Sequence, residues 1–264
     1  MPPEQFVVRV AAQHAVADEH FELILEPHPV FERTAPGQFM NVSVSGADRF
    51  DPLLRRPFSL YRRFPDGSYS LLYRTVGRGT RILSRLQKGD QLDIIGPLGK
   101  GFSLLPGSRP ALVGGGVGVP PLFLWAQKVL IHHGDVRAIL GFNEARLAIC
   151  HNDMAELGIQ VEVTTVDGSL GRQGLVTDAL EPLLRAGEID AIYACGPYPM
   201  LAAVASMAKR YGVPAQLALE EWMGCGVGAC LSCVVPIRNG DGSTEYQRVC
   251  KEGPVFSAEE VYFG

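Results

Sequence analysis

The sequence predicts an α+β chain of several units: an antiparallel β-barrel, then an α/β domain built on a parallel sheet, then a short tail organised by cysteines. Three observations carry this. Short alternating β-forming runs fill the first hundred residues, punctuated by Pro-Gly, Asp-Gly and Gly-Asp turns. Past Phe102, apolar runs alternate with helical stretches, the pattern of βαβ units. Four of the six cysteines then crowd the last 40 residues. A chain of 264 residues allows about two domains of roughly 150, and the expected units are 1–103, 104–220 and 221–264.

The barrel strands read VVRVAAQ, FELILE, QFMNVSVS, PFSLYRR, SYSLLYR and DQLDIIG. Six strands at this spacing suggest a closed or nearly closed barrel. One helix, Thr80 to Leu86, interrupts them, with apolar residues on one face and basic ones on the other. The Gly- and Pro-rich stretch from Leu86 to Pro110 is the boundary. In the second unit the runs PALVGGGVGV, VRAILGF, IQVEVTTVD, AIYACGP and AQLALE are strands. Helices are expected in PPLFLWAQKVLIHHG, from Cys150 to Leu157, in VTDALEPLLRAG and in PMLAAVASMAKRYG. From Glu221 onward neither period is visible.

Composition excludes several classes. With 47% hydrophobic and 20% charged residues, disorder is excluded as the main state. Thirty glycines and 19 prolines without periodicity exclude collagen and long coiled coils, and favour turns and close backbone approaches. A net charge of −4 argues against a nucleic-acid partner. The most apolar stretch, Pro110 to Ala126, is too short and too broken by Gly and Pro for a membrane span. The opening MPPEQFVVRV lacks a basic region followed by an apolar one, so a cytoplasmic location is expected.

Cysteine spacing bears most directly on chemistry. Cys225, Cys230 and Cys233 follow a C-x4-C-x2-C run, and sixteen residues separate Cys233 from Cys250. Structural zinc takes paired C-x2-C knuckles, and only one is present here. The run matches the plant-type 2Fe–2S pattern, in which a ligand loop wraps one side of the cluster. Gly226, Gly228 and Ala229 would let backbone N–H groups approach the sulfur atoms and offset the cluster's negative charge. Zinc, free thiols and disulfides remain alternatives on spacing alone.

Three further motifs are weaker. Arg56-Pro57-Phe58-Ser59, followed by Leu72-Tyr73-Arg74 and Gly79-Thr80, can supply a guanidinium for a diphosphate and rings for a flat ring system. Arg55 and Arg56 could equally be a solvated pair. Gly114, Gly115, Gly116 and Gly118 sit between a strand and a Pro-started helix and favour a dinucleotide, though a tight turn without ligand has the same look. Cys195-Gly196-Pro197 closes a strand at the carboxyl edge, where ligands collect; a buried Cys packed as a small hydrophobe is the plain alternative. Cys150 reads as buried. The six histidines show no ligand spacing, and the Glu220–Glu221 and Glu259–Glu260 pairs point apart on a strand.

Taken in order, RPFSLY, LLYRTVGRGT, GPLGKGF, GGGVGVPPLF, YACGP and CGVGACLSCVV…VCKEGPVF span nearly the whole chain. The sequence resembles the ferredoxin-reductase superfamily, and within it the electron-transfer subunits of type B dihydroorotate dehydrogenase. The resemblance implies an FAD-binding barrel, an NAD-binding α/β domain and a C-terminal 2Fe–2S loop. It implies FAD contacts at Arg56 to Ser59, Leu72 to Arg74, Gly79 and Thr80, and cluster ligands at Cys225, Cys230, Cys233 and Cys250. NAD would meet Gly114, Gly115, Gly116, Gly118, Cys195, Gly196 and Pro197, with Cys195 near the nicotinamide. The implied partner is an FMN-containing catalytic subunit of pyrimidine synthesis, in a heterotetramer of two of each. Related NADPH–ferredoxin reductase subunits typically carry Asp at the first ligand position, where this chain has Cys225. A sulfide dehydrogenase or NADPH–ferredoxin reductase subunit and a zinc-stabilised binding module remain as rival readings. The chain shows no dihydroorotate site and no general base, so an NADH diaphorase is expected of it alone. Glu144, beside Phe142-Asn143, would repel a 2′-phosphate, partly offset by Arg146, which favours NADH over NADPH.

Overall fold

The computed structural model describes residues 2–44, 51–107, 109–133 and 135–264. Ser45 at the end of an expected strand, Ser108 in the expected boundary and Gly134 after an expected helix lie outside the described residues.

The first unit comprises β1 (Glu4–Ala17), β2 (His20–Leu25), α1 (Pro29–Glu32), β3 (Phe39–Val42), β4 (Arg56–Arg63), β5 (Tyr69–Arg74), α2 (Arg78–Leu83) and β6 (Gln91–Leu98). All six expected strands form. They close as a barrel in the order β1-β2-β5-β4-β3-β6, sealed by antiparallel pairing of β1 with β6. Period-two alternation in β1 drives Phe6, Val8 and Val10 inward onto Leu23, Leu25, Leu71 and Ile94.

The second unit runs β7 (Pro110–Gly115), α3 (Pro120–His132), β8 (Arg137–Phe142), α4 (His151–Glu156), β9 (Gln160–Thr165), β10 (Arg172–Gln173), α5 (Val176–Arg185), β11 (Ala191–Cys195), α6 (Tyr198–Tyr211) and β12 (Ala215–Ala218). The tail adds β13 (Val234–Arg238), β14 (Thr244–Arg248) and β15 (Val255–Ser257). The large sheet has the order β10-β9-β8-β7-β11-β12-β15. Its strands are parallel except β15, which pairs antiparallel with β12. From β7 the chain moves first to β8 on one side and later to β11 on the other, so a crevice opens at the carboxyl ends where the order reverses.

The tail departs from expectation. Its residues show no period because β13 and β14 form a two-stranded hairpin, joined otherwise by a single bridge from Ile237 to Val261 among the described residues, and β15 is three residues long. Yet β15 completes the sheet of the second unit. One apolar core joins Phe39 and Leu98 of the barrel to Val113, Ile192 and Leu217 of the sheet and to Val235, Val249 and Phe256 of the tail. Between barrel and α4, the Tyr61 hydroxyl donates to Asp153 Oδ2 at 2.7 Å and Arg62 forms an ion pair with the same carboxylate. Burial drives the Tyr61 pKa well up, so this hydroxyl keeps its proton. No helix of the described residues is long and apolar enough to cross a membrane.

Candidate functional site

The hairpin register explains how a distant fourth cysteine returns to the first three. β13 starts one residue after Cys233, and β14 ends two residues before Cys250. Val234 pairs with Arg248, and the Val249 N–H donates to the Cys233 carbonyl at 2.9 Å, so Cys250 comes back beside Cys233. A turn at Asn239-Gly240-Asp241-Gly242 closes this hairpin, with the Asn239 N–H donating to the Ser243 carbonyl. Cys233 and Cys250 are buried, Cys225 is half-buried and Cys230 is exposed.

The thiols stand in two pairs. The Cys225 N–H donates to Cys230 Sγ at 3.4 Å, and Val227 and Ala229 donate their N–H groups to Cys225 Sγ at 3.4 and 3.3 Å. Backbone N–H groups approach the sulfur atoms as expected: those of Cys225, Val227 and Ala229 reach the first pair and that of Gly228 reaches Cys250. The Ser232 hydroxyl, with backbone N–H groups, holds the Cys230 thiol down to about 6. Burial and the neighbouring Cys233 push Cys250 up to about 12. Among the described residues no three His, Cys, Asp or Glu side chains form a group that could hold one metal ion. Two thiol pairs ringed by N–H donors fit a group with two irons, each taking two thiolates.

The loop is pinned from both sides. Asn41 Nδ2 of β3 donates to the Cys225 carbonyl at 3.2 Å, and Arg248 Nη1 donates to the Gly228 carbonyl at 2.7 Å. Arg248 is itself paired with Glu252 at 2.5 Å, and that guanidinium holds the Glu252 carboxyl down to about 2.

On the barrel, Arg55 and Arg56 separate. Arg55 is tied to Asp93 at 2.5 Å, whereas among the described residues Arg56 has no carboxylate partner and donates to the Leu54 carbonyl at 2.7 Å. Arg56 runs alongside the start of α2: a Cβ at Gly79 would stand 3.4 Å from Arg56 Nε and 3.2 Å from Val44. The Thr80 hydroxyl accepts from the N–H groups of Val76 and Gly77 at 3.0 and 3.1 Å, shaping that turn. Phe58 lies 5.6 Å from the Tyr73 ring, and Pro57 is exposed and Ser59 half-buried on the same strand. An uncompensated guanidinium beside a close-packed turn fits a diphosphate, and the half-buried Phe58 ring offers an apolar face. Leu72 packs toward the second unit, while Tyr73 is buried in the barrel and donates to Gln13 Oε1 at 2.9 Å. Arg74 pairs with Glu19 at 2.8 Å and faces the crevice between the two units.

That crevice is a cleft of about 550 Å³. Gly115, Gly116, Gly118, Gly196 and Pro197 line one end, while Phe142, Asn143, Thr164 and Val166 line the other. Gly116 adopts φ +52, and a Cβ at Gly118 would collide with the Cys195 carbonyl, so glycine is required at both. Gly114 and Cys195 are not on the cleft wall. Gly114 backs onto Val119 and Leu122, and Cys195 is buried, its thiol pushed well up by burial and by Glu220. Cys195 is therefore no reactive thiolate. Its neighbours Gly196 and Pro197 do face the cleft. Thr164 lies behind the cleft wall, its Oγ1 buried with no hydrogen-bond partner among the described residues.

Two cleft residues were missed in sequence. Glu220, dismissed as half of an adjacent acid pair, lines the cleft just past the carboxyl end of β12; crowding by protein raises its carboxyl pKa although its surface opens into the cleft. Its position at a strand's carboxyl end was the available signal. His20 contributes from the barrel: its Nδ1 meets the Asp18 carbonyl at 2.6 Å and burial lowers its pKa, so the ring is neutral with its proton on Nδ1.

Residues 220–262 match the iron-sulfur cluster binding domain of dihydroorotate dehydrogenase B. Over 257 residues, 96% of each chain, the protein is 44% identical to the dihydroorotate dehydrogenase B (NAD(+)) electron transfer subunit of Bacillus caldolyticus. The chain belongs to the family of dihydroorotate dehydrogenase B electron transfer subunits. Its counterpart from Geobacillus sp. (strain WCH70) is 43% identical over 98% of both chains. Among solved structures, an NADH-dependent reduced ferredoxin-NADP oxidoreductase is similar with a TM-score of 0.84 and 29% identity, covering 97% of this chain and 90% of that one. A ferredoxin NADP+ reductase from Neisseria gonorrhoeae shares the fold, with a TM-score of 0.65 at 14% identity, covering 79% of this chain and 92% of that one. Membership of the electron transfer family displaces the zinc-module, sulfide dehydrogenase and NADPH–ferredoxin readings.

Proposed function

We propose that this chain takes electrons from a catalytic subunit that oxidises dihydroorotate to orotate and delivers them to NAD+, as an electron transfer subunit serving pyrimidine synthesis. When bound, the 2Fe–2S cluster and FAD supply the conversion between single electrons and the hydride that NAD+ accepts. Cys225 and Cys230 hold one iron and Cys233 and Cys250 the other, while the N–H groups of Cys225, Val227 and Ala229 stabilise the thiolates. Arg56, with Pro57, Phe58, Ser59, Gly79 and Thr80, holds FAD, and Leu72 and Tyr73 shape that wall. NAD+ lies in the cleft along Gly115, Gly116, Gly118, Gly196 and Pro197, with Arg74 and His20 closing it from the barrel. Units 1–103, 104–220 and 221–264 carry the flavin, nucleotide and cluster sites respectively.

One observation carries the reading. The cysteine loop touches the barrel through Asn41 on one side and presents apolar residues to solvent on the other. Trp222 is 91% exposed, Leu231 60% and Val227 43%. Such a face suits burial against the catalytic subunit, bringing the cluster near that subunit's own redox centre. We infer that the catalytic subunit carries FMN, that the complex contains two of each chain, and that it works in the cytoplasm. Protein purified without oxygen is expected to show flavin and iron–sulfur absorption, to oxidise NADH with an artificial dye, and to leave dihydroorotate untouched. A colourless protein holding stoichiometric zinc would overturn the reading.

A further inference from the structure

The cleft ends at the loop after β8, where Asn143 and Leu147 line it and Glu144 and Arg146 lie between them in the chain. In doubly wound sheets this loop meets the ribose 2′ position of a dinucleotide: an acid accepts from a 2′-hydroxyl, and an arginine binds a 2′-phosphate. Both residue types are present, so sequence alone leaves them in opposition.

Geometry decides between them. Arg146 Nη2 lies 2.6 Å from Glu144 Oε1, and Arg146 Nη1 lies 3.0 Å from Asp18 Oδ2. Asp18 belongs to the β1–β2 turn of the barrel, 128 positions away in sequence. The Asp18 N–H also donates to the Arg146 carbonyl at 3.3 Å, so this turn is docked on the loop by its backbone as well. A third acid stands close: the Ala145 N–H donates to Ser169 Oγ at 2.8 Å, and Ser169 is held by Asp167 at 2.6 Å. The neighbouring cation Arg74 is taken by Glu19. Glu144 and Asp18 therefore both engage Arg146, while Asp167 is spent on Ser169 behind the same loop.

We propose that the Asp18–Arg146–Glu144 chain selects NAD+ over NADP+ in this cleft, with a residue of the barrel disarming the arginine of the loop after β8, which could otherwise bind a 2′-phosphate. The inference rests on the cleft's being the dinucleotide site. Two carboxylates neutralise Arg146 and occupy both of its terminal nitrogens, and the surplus negative charge repels an incoming phosphate.

The experiment uses the FAD- and cluster-loaded chain with an artificial dye as electron acceptor. NADH and NADPH kcat/KM are measured for wild type, Asp18→Asn, Glu144→Gln, the double variant, and the double variant with Arg146→Ala. Asp18→Asn keeps the backbone bond that docks the turn, and Glu144→Gln leaves the barrel untouched; flavin absorption reports folding of each. Each neutralisation is expected to raise the NADPH/NADH ratio roughly three- to tenfold, the double variant more. Arg146→Ala should abolish that gain, and salt should shrink it, because Arg146 and Asp18 are 60% and 57% exposed. Titration with 2′,5′-ADP should show the same order of affinities. Intact NADH oxidation with an unchanged ratio in every variant would overturn the selector while leaving the cleft assignment standing. A flavin-loaded wild type that oxidises neither nucleotide would overturn the cleft assignment and the selector together.

Discussion

Arg55 and Arg56 are neighbours in sequence with different work. Asp93 captures Arg55 at 2.5 Å, while Arg56 turns to the start of α2 without a carboxylate. The Asp93 contact spans 38 positions, which is why the two arginines were indistinguishable in sequence. Arg56→Ala is expected to remove a charge-assisted hydrogen bond to the flavin diphosphate, about 1.5–3 kcal/mol, or roughly ten- to a hundredfold in FAD affinity. Titration of apoprotein with FAD measures this, and unchanged affinity would make Arg56 a surface charge. A second prediction concerns Cys230, the most exposed of the four proposed ligands. Cys230→Ser should lower the iron-to-protein ratio while FAD stays bound, because the loop meets the barrel through the Asn41 contact rather than through the Arg56 side. An unchanged iron content would contradict the ligand assignment.

At the scale of elements, the β13–β14 hairpin does what no local spacing shows: it folds sixteen residues back on themselves so that Cys250 meets Cys233. The three close cysteines were legible because they share one loop. The hairpin was not, because β14 is mostly exposed and its Thr-Glu-Tyr-Gln-Arg sequence has no apolar period. The barrel strands and the Gly-rich turn before α3 were legible, since alternation and a Pro-started helix are local signals. Arg248 locks this hairpin to the ligand loop through the Gly228 carbonyl and Glu252. Arg248→Met removes both contacts and leaves the carbonyl short of a donor. We expect a looser ligand loop, seen as faster iron release to a chelator with the FAD spectrum unchanged. Iron release at the wild-type rate would mean that Arg248 does not hold the loop.

Across the whole molecule, three apolar clusters of the described residues support the fold, and one of them spans all three units. The barrel residue Phe39, sheet residue Val113 and tail residue Phe256 share a single apolar cluster, so flavin, nucleotide and cluster sites are held in fixed relation. Much of this was beyond sequence reasoning because it is made by contacts between distant segments. β15 joins the sheet through three residues, Glu220 reaches the cleft from a strand end, and Arg74 is drawn toward the cleft side and paired with Glu19. The order of the units and their chemistry was legible, because each carries its own local motif.

The central claim is that electrons leave dihydroorotate in a partner and reach NAD+ only through this chain. Dihydroorotate-dependent NADH formation, measured without oxygen on the catalytic subunit mixed with this chain, tests it most directly. Wild type should give NADH only when both chains are present. Val227→Glu should leave the NADH–dye reaction intact, since only the Val227 backbone N–H serves Cys225, yet abolish both complex formation and NADH production. NADH formed by the catalytic subunit without this chain, or a Val227→Glu complex that assembles and turns over like wild type, would contradict the account.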